Sequence, residues 1–206
     1  MTPDTTKRPT YSTERLGALA DGVFAVALTL LVLDLKLPPV PAGSQQALIA
    51  DLEGQIPNLI AWLISFVLVA RFWVVHHAIV ASLARCHVAT MAWNFVVLAL
   101  MSLVPFAASL IGTYEFDAVA VFIFAALMGM AGLSLGLFAR HAAKETHLHR
   151  EAPADDLHWH WKYHSRVLPA VAVVSVLLLG VEEVAALVAL GLEPLIAFLI
   201  MKRKRG

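Results

Sequence analysis

"RLGALADGVFAVALTLLVLDLKLP", Arg15 to Pro38, decides the fold. From Leu16 to Leu33 it is almost wholly apolar, and about 20 such residues cross the ~30 Å hydrocarbon core of a bilayer as a helix. The helix is not plain, however. It opens with Arg15, carries Asp21 six residues on, and has only Thr29 as a later polar residue before Asp34. A charge at membrane depth is costly unless it is paired or hydrated, so these residues ask for partners or for water.

The rest of the chain repeats the apolar theme. Of 206 residues, 60% are hydrophobic and 15% are charged, against roughly 45–50% and roughly 25% in soluble domains. Mean hydropathy is +0.77. The runs are continuous rather than alternating, which predicts spanning helices and excludes a β-barrel pattern. The chain is read as an all-α integral membrane protein.

Six spans are expected, at about 16–37, 56–79, 88–111, 117–139, 166–181 and 183–201, in one domain covering 15–206 after a polar, disordered N-terminus over 1–14. The fifth is short, and Glu182 and Glu183 after it mark either a tight turn or acids within one long helix. Charge decides between the two. With six spans, Lys7, Arg8, Arg15, Arg71, Arg85, Arg140, Lys144, Arg150, Lys162, Arg166 and "KRKR" at 202–205 share one side, and Lys36 alone takes the other. Basic residues favour the cytoplasm, so both termini are expected there. The N-terminus carries no cleavable-signal pattern, so the first span is expected to stay as an anchor.

On a helix turning about 100° per residue, Gly22, Val26, Thr29, Leu33 and Lys36 fall on one stripe, apolar at Val26 and Leu33 with Thr29 between them. Arg15 and Asp21 lie about 120° apart around the axis and cannot simply pair along one face. The second span ends "ARFWVVHHAIVASLARCH", with Trp73, His76 and His77, and the third opens with Trp93 and Asn94. A short connection brings His77, Trp93 and Asn94 to about the depth of Asp21, where polar groups in lipid satisfy one another. Such a cluster either fixes helix positions or shapes an ion entrance. The plainer alternative is that Asp21 anchors the bundle at headgroup depth.

The order "R…DGVFAVALTLLVLDLKLP", then "FWVVHH", then "WNFVVLALMSLVPF" resembles the bacterial branch of the endolysosomal potassium channel family, the transmembrane protein 175 type, over about residues 15–114. The resemblance implies six spans per subunit, a homotetramer in the bilayer, and a cation pore lined by the first helix without a P-loop filter. Val26 would then be the hydrophobic constriction, Thr29 a hydroxyl ring associated with potassium preference, and Leu33 a second apolar ring, with Gly22 on the same face. Arg15, Asp21, His77, Trp93 and Asn94 would form the interhelix network. It also implies a bacterial inner-membrane location. One departure stands out. The family reads Arg, three residues, then Phe-Ser-Asp, whereas here Leu19 and Ala20 precede Asp21. Ala20 lacks a hydroxyl that ties the first helix to its neighbours in relatives.

Other features are weaker. His147, His149, His158, His160 and His164 in the 140–165 linker, with Glu145, Asp155 and Asp156, are expected to be solvated rather than a metal site. Glu193 beside Pro194 would suit a proton-coupled transporter or, more simply, a polar contact at a helix break. Gly129, Gly132 and Gly136 predict close helix packing. No nucleotide loop or nucleophile motif occurs, so no enzyme, metal, cofactor or nucleic-acid partner is expected. The functional expectation is a passive potassium or weakly selective cation channel. The alternative is a secondary transporter or proton pathway using intramembrane Asp, His or Glu residues.

Overall fold

The computed structural model describes residues 10–36, 45–144, 167–178, 183–192 and 195–196. The 1–9 segment, the histidines of the linker, Glu182, Glu193, Pro194 and the terminal basic run lie outside them.

The described residues are almost entirely helical: α1 (Thr13–Leu30) running into a 3-10 turn (Leu31–Asp34), α2 (Gln45–Gly54), α3 (Ile56–Ala81), α4 (Val88–Ser102), α5 (Val104–Thr113), α6 (Ala118–Lys144), α7 (Val167–Leu178) and α8 (Glu183–Gly191). Four segments are long and apolar enough to cross a membrane: Thr13–Asp34, Ile56–Ala81, Val88–Thr113 and Ala118–Lys144. They match the first four expected spans. Of the two further expected spans, the described parts include the 12 residues of α7 and the 9 of α8. Ser175 on α7 donates its hydroxyl proton to the carbonyl of Ala186 on α8.

Each boundary has a local cause. Ser12 caps α1 by accepting the amide of Glu14 at 3.3 Å, which satisfies one of the unpaired amides of the first turn. The third span, expected as one helix, is divided at Leu103 into α4 and α5. Pro105 in the first turn of α5 lacks an N–H to continue the ladder and crowds the preceding turn. The α5–α6 turn places two residues other than glycine, Glu115 (φ 47°) and Phe116 (φ 67°), in the left-handed region. That conformation costs about 1–2 kcal/mol per residue. The Phe116 amide bonds the Ile111 carbonyl at 3.0 Å, and its ring packs on the core.

Just before α1, Tyr11–Ser12 (β1) pairs antiparallel with Arg85–Cys86 (β2), in the turn between α3 and α4. Thr13 donates its hydroxyl to the Leu83 carbonyl at 2.9 Å. The Arg85 guanidinium donates to the Thr10 hydroxyl at 2.6 Å and to the Thr10 carbonyl at 3.0 Å. The start of α1 is thus tied to the α3–α4 turn.

The core is built mainly from α1, α3, α4, α5 and α6, and its largest fully buried side chains include Phe24, Phe72, Phe124 and Phe138. Close packing is carried by glycine at two points. A Cβ on Gly112 would overlap the Asn58 side-chain amide and come within 3.2 Å of its Cα, so glycine at 112 lets α5 approach Asn58 of α3 closely. A Cβ on Gly129 would meet that of Ala172 at 3.0 Å, which fits the expected close approach of the fourth span to a neighbour.

Candidate functional site: the first spanning helix and its polar contacts

The two faces of α1 differ sharply. Leu16, Ala20, Phe24, Ala27 and Leu31 are buried at 5%, 1%, 1%, 2% and 2% exposure, within an arc of about 80° on a helical projection. This face packs into the chain's own bundle. The stripe expected from the sequence lies about 150° away. Gly22, Val26, Thr29 and Leu33 are all exposed, Val26 at 55% and Leu33 at 56%. A Cβ on Gly22 would meet nothing within 4 Å.

Thr29 is the only polar side chain between Gly22 and Leu33 on that stripe. Its hydroxyl lies 3.0 Å from both the Ala25 and Val26 carbonyls of its own helix. The proton is used within α1, as is usual for threonine in an apolar helix. The oxygen keeps its lone pairs for whatever faces the stripe.

Asp21 sits between these two faces. Its Oδ1 accepts the indole N–H of Trp73 at 2.8 Å, joining α1 to α3. His77 is exposed, with its ring 5.5 Å from that of Trp73. His76, one residue earlier, points inward and is 1% exposed. Its Nε2 lies 2.7 Å from Asn94 Oδ1 on α4, and its ring is 5.5 Å from both Phe24 on α1 and Phe138 on α6. A single imidazole therefore touches three other spanning helices.

The sequence placed Asp21, His77, Trp93 and Asn94 at one depth, and the structure distributes their contacts differently. Asp21 is met by Trp73, and Asn94 by His76. Trp93 is half-buried against the core and His77 lies outside it. On a helix 26 residues long, adjacent positions point about 100° apart, so of His76 and His77 only one can face α4. Arg15 is exposed, on the same side of the helix as Gly22 and Val26, since its position is within about 20° of theirs on the projection. Ala20, standing where the family has serine, is 1% exposed on the packed face, and Leu19 is 45% exposed. Sequence reasoning noticed Trp73 and His76 without singling them out. The signal was there, because both carry a donor that a buried or interfacial site in lipid must satisfy.

Among the described residues no group of three metal-binding side chains occurs. The polar atoms instead hold the helices in register. With four membrane-length apolar helices around a shared core, the chain is a multi-pass helical membrane protein.

Residues 15–105 match the family model for the endosomal/lysosomal potassium channel TMEM175. That segment carries most of α1 and all of α2, α3 and α4. A potassium channel from Chamaesiphon minutus is 39% identical over 102 residues, covering 50% of each chain. The endosomal/lysosomal proton channel TMEM175 of Danio rerio is 42% identical over 74 residues, covering 33% of this chain and 14% of that one. The crystal structure of a lysosomal potassium-selective channel TMEM175 homolog from Chamaesiphon minutus superposes with a TM-score of 0.76 at 27% identity, covering 94% of this chain and 98% of that chain. By sequence, the chain spans about half the length of the bacterial relatives it matches.

Proposed function

We propose that the chain forms a passive, potassium-selective channel in the cell membrane of a bacterium, as a homotetramer whose four α1 helices surround a cation pore. The carrying observation is the division of α1. It buries Leu16, Ala20, Phe24, Ala27 and Leu31 in its own bundle and turns Gly22, Val26, Thr29 and Leu33 away from it. The names of the bacterial relatives support the permeant ion.

In that assembly each subunit has six spans with both termini in the cytoplasm, as the distribution of basic residues favours. Four Val26 side chains make an apolar constriction that resists hydration and so gates by dewetting. Four Thr29 oxygens about one turn further on replace part of the water that a cation leaves behind. Leu33 adds a second apolar ring. No P-loop filter is needed, because discrimination comes from the width of the constriction and from the hydroxyl ring.

A proton pathway is the second reading, favoured by the vertebrate relatives named as proton channels. One reconstitution separates the two. Purified protein in potassium-loaded liposomes should pass potassium down its gradient without a counter-substrate, and the flux should change when Val26 or Thr29 is replaced. Flux that requires a proton gradient and ignores Val26 overturns the potassium-pore reading.

A further inference from the structure

The connection between the first two spans contains α2, "QQALIADLEG", 10 residues with no buried side chain. Its large apolar residues are not scattered. Leu48, Leu52 and Ile49 fall within an arc of about 100°, and they are 41%, 51% and 48% exposed. Asp51 and Glu53 flank that arc on its two sides, Gln45 at the start of the helix falls within it, and Ala50 lies on the far side.

We propose that α2 is an interfacial helix whose Leu48–Ile49–Leu52 face lies on the bilayer, in the leaflet opposite the N-terminal segment of the chain. Four observations point to lipid. First, α2 ends at Gly54 and α3 starts at Ile56, so Gln55 alone separates it from a membrane-crossing helix. Its end is therefore held at the edge of the hydrocarbon. Second, at about 1.5 Å per residue the helix is about 15 Å long, half of what a crossing needs. Third, the first turns of α3 are themselves apolar and exposed, at Ile56 (50%), Leu59 (49%), Ile60 (41%) and Leu63 (53%). Fourth, the flanking carboxylates forbid full immersion but can stay hydrated among headgroups. A second copy of the chain fits less well, because three side chains cover far less than the roughly 800 Å² per partner of a stable contact.

The inference rests on the membrane reading alone and not on ion conduction. The test is a nitroxide label placed in turn at Leu52→Cys and Ala50→Cys, in a Cys86→Ala background, since Cys86 is the only cysteine of the chain. The full-length protein is reconstituted in phosphatidylcholine–phosphatidylglycerol vesicles, and collisions with oxygen and with a water-soluble nickel chelate are compared. At residue 52 oxygen should outcompete the chelate several-fold, and at residue 50 the order should reverse. If Cys86→Ala does not fold, the wild-type background serves, because the Cys86 thiol is 1% exposed. Equal chelate access at 52 and 50 overturns the proposal in favour of a water-facing helix. Spin–spin broadening at 52 between copies overturns it in favour of a subunit contact.

Discussion

The indole N–H of Trp73 donates to the carboxylate of Asp21 at 2.8 Å, across 52 positions of sequence, and pins α1 to α3. The acid is thus used as a fastener, on the part of α1 between its packed face and the Val26–Thr29 stripe. Trp73→Phe removes the donor and keeps the ring beside His77. It should lower the thermal midpoint of the detergent-solubilised protein by the equivalent of about 0.5–1.5 kcal/mol, while the ion preference of residual flux stays as in the wild type. A changed preference with an unchanged midpoint would place Asp21 in the ion path instead.

His76 and Asn94 are a buried pair at 1% and 0% exposure, and the Asn94 side-chain nitrogen has no partner among the described residues. Breaking one half strands the other. Asn94→Leu or His76→Phe alone should each cost about 1–3 kcal/mol, whereas the double variant should recover much of that loss, since both polar groups then leave together. Thermal unfolding of the three variants measures the coupling. Additive losses would show that the contact between them contributes nothing.

Gly112 allows α5 to meet α3 at Asn58. Gly112→Ala should destabilise by about 1–3 kcal/mol through overpacking. Asn58→Ala should relieve part of that, though not all, because the Asn58 Cα also lies within 3.2 Å of the added carbon. A double-variant cycle on melting temperature checks both statements.

For conduction, Thr29→Val keeps the shape of the side chain and deletes its oxygen. The hydroxyl bonds only its own helix among the described residues, at Ala25 and Val26, so the fold should persist while potassium-over-sodium preference falls. In the proposed pore, Val26→Ala should raise flux by widening the constriction and Val26→Phe should close it, each read as the rate of potassium release from liposomes.

Cys86 lies in the turn that clasps the segment before α1, with its thiol 3.7 Å from the Tyr11 carbonyl. Burial pushes its pKa above the usual thiol value, and the nearby Arg85 charge opposes this only in part. The thiol form is therefore the one the fold favours. Its contribution is present at and below neutral pH and is lost as pH rises above the ordinary thiol pKa. Maleimide should react with Cys86 more slowly than with free cysteine near neutral pH. Arg85→Ala, which cuts both bonds to Thr10, should accelerate the reaction by opening the clasp. An unchanged rate would show that the clasp does not shield the thiol.

The limits of the sequence show at particular residues. Hydrophobic length alone placed the first four membrane-crossing segments, because a bilayer demands about 20 apolar residues wherever a helix crosses it. Helical periodicity likewise put Gly22, Val26, Thr29 and Leu33 on one stripe, and the fold leaves that stripe exposed. The break before Pro105 was written in the sequence as well, though apolar length masked it. What periodicity does not contain is the rotation of one helix against another. Whether His76 or His77 faces Asn94 depends on about 100° of turn about α3, and that angle is set by how Phe24, Phe72 and Phe138 fill the space between the spans. The same packing selects Trp73 as the partner of Asp21 and leaves Arg15 on the outer side. The sequence by itself therefore determined the first four membrane-length segments and which residues of α1 share a face. Only the tertiary structure decided which polar groups meet, because hydrogen bonds need side chains aligned within about 3 Å and core packing alone fixes helix rotation that finely.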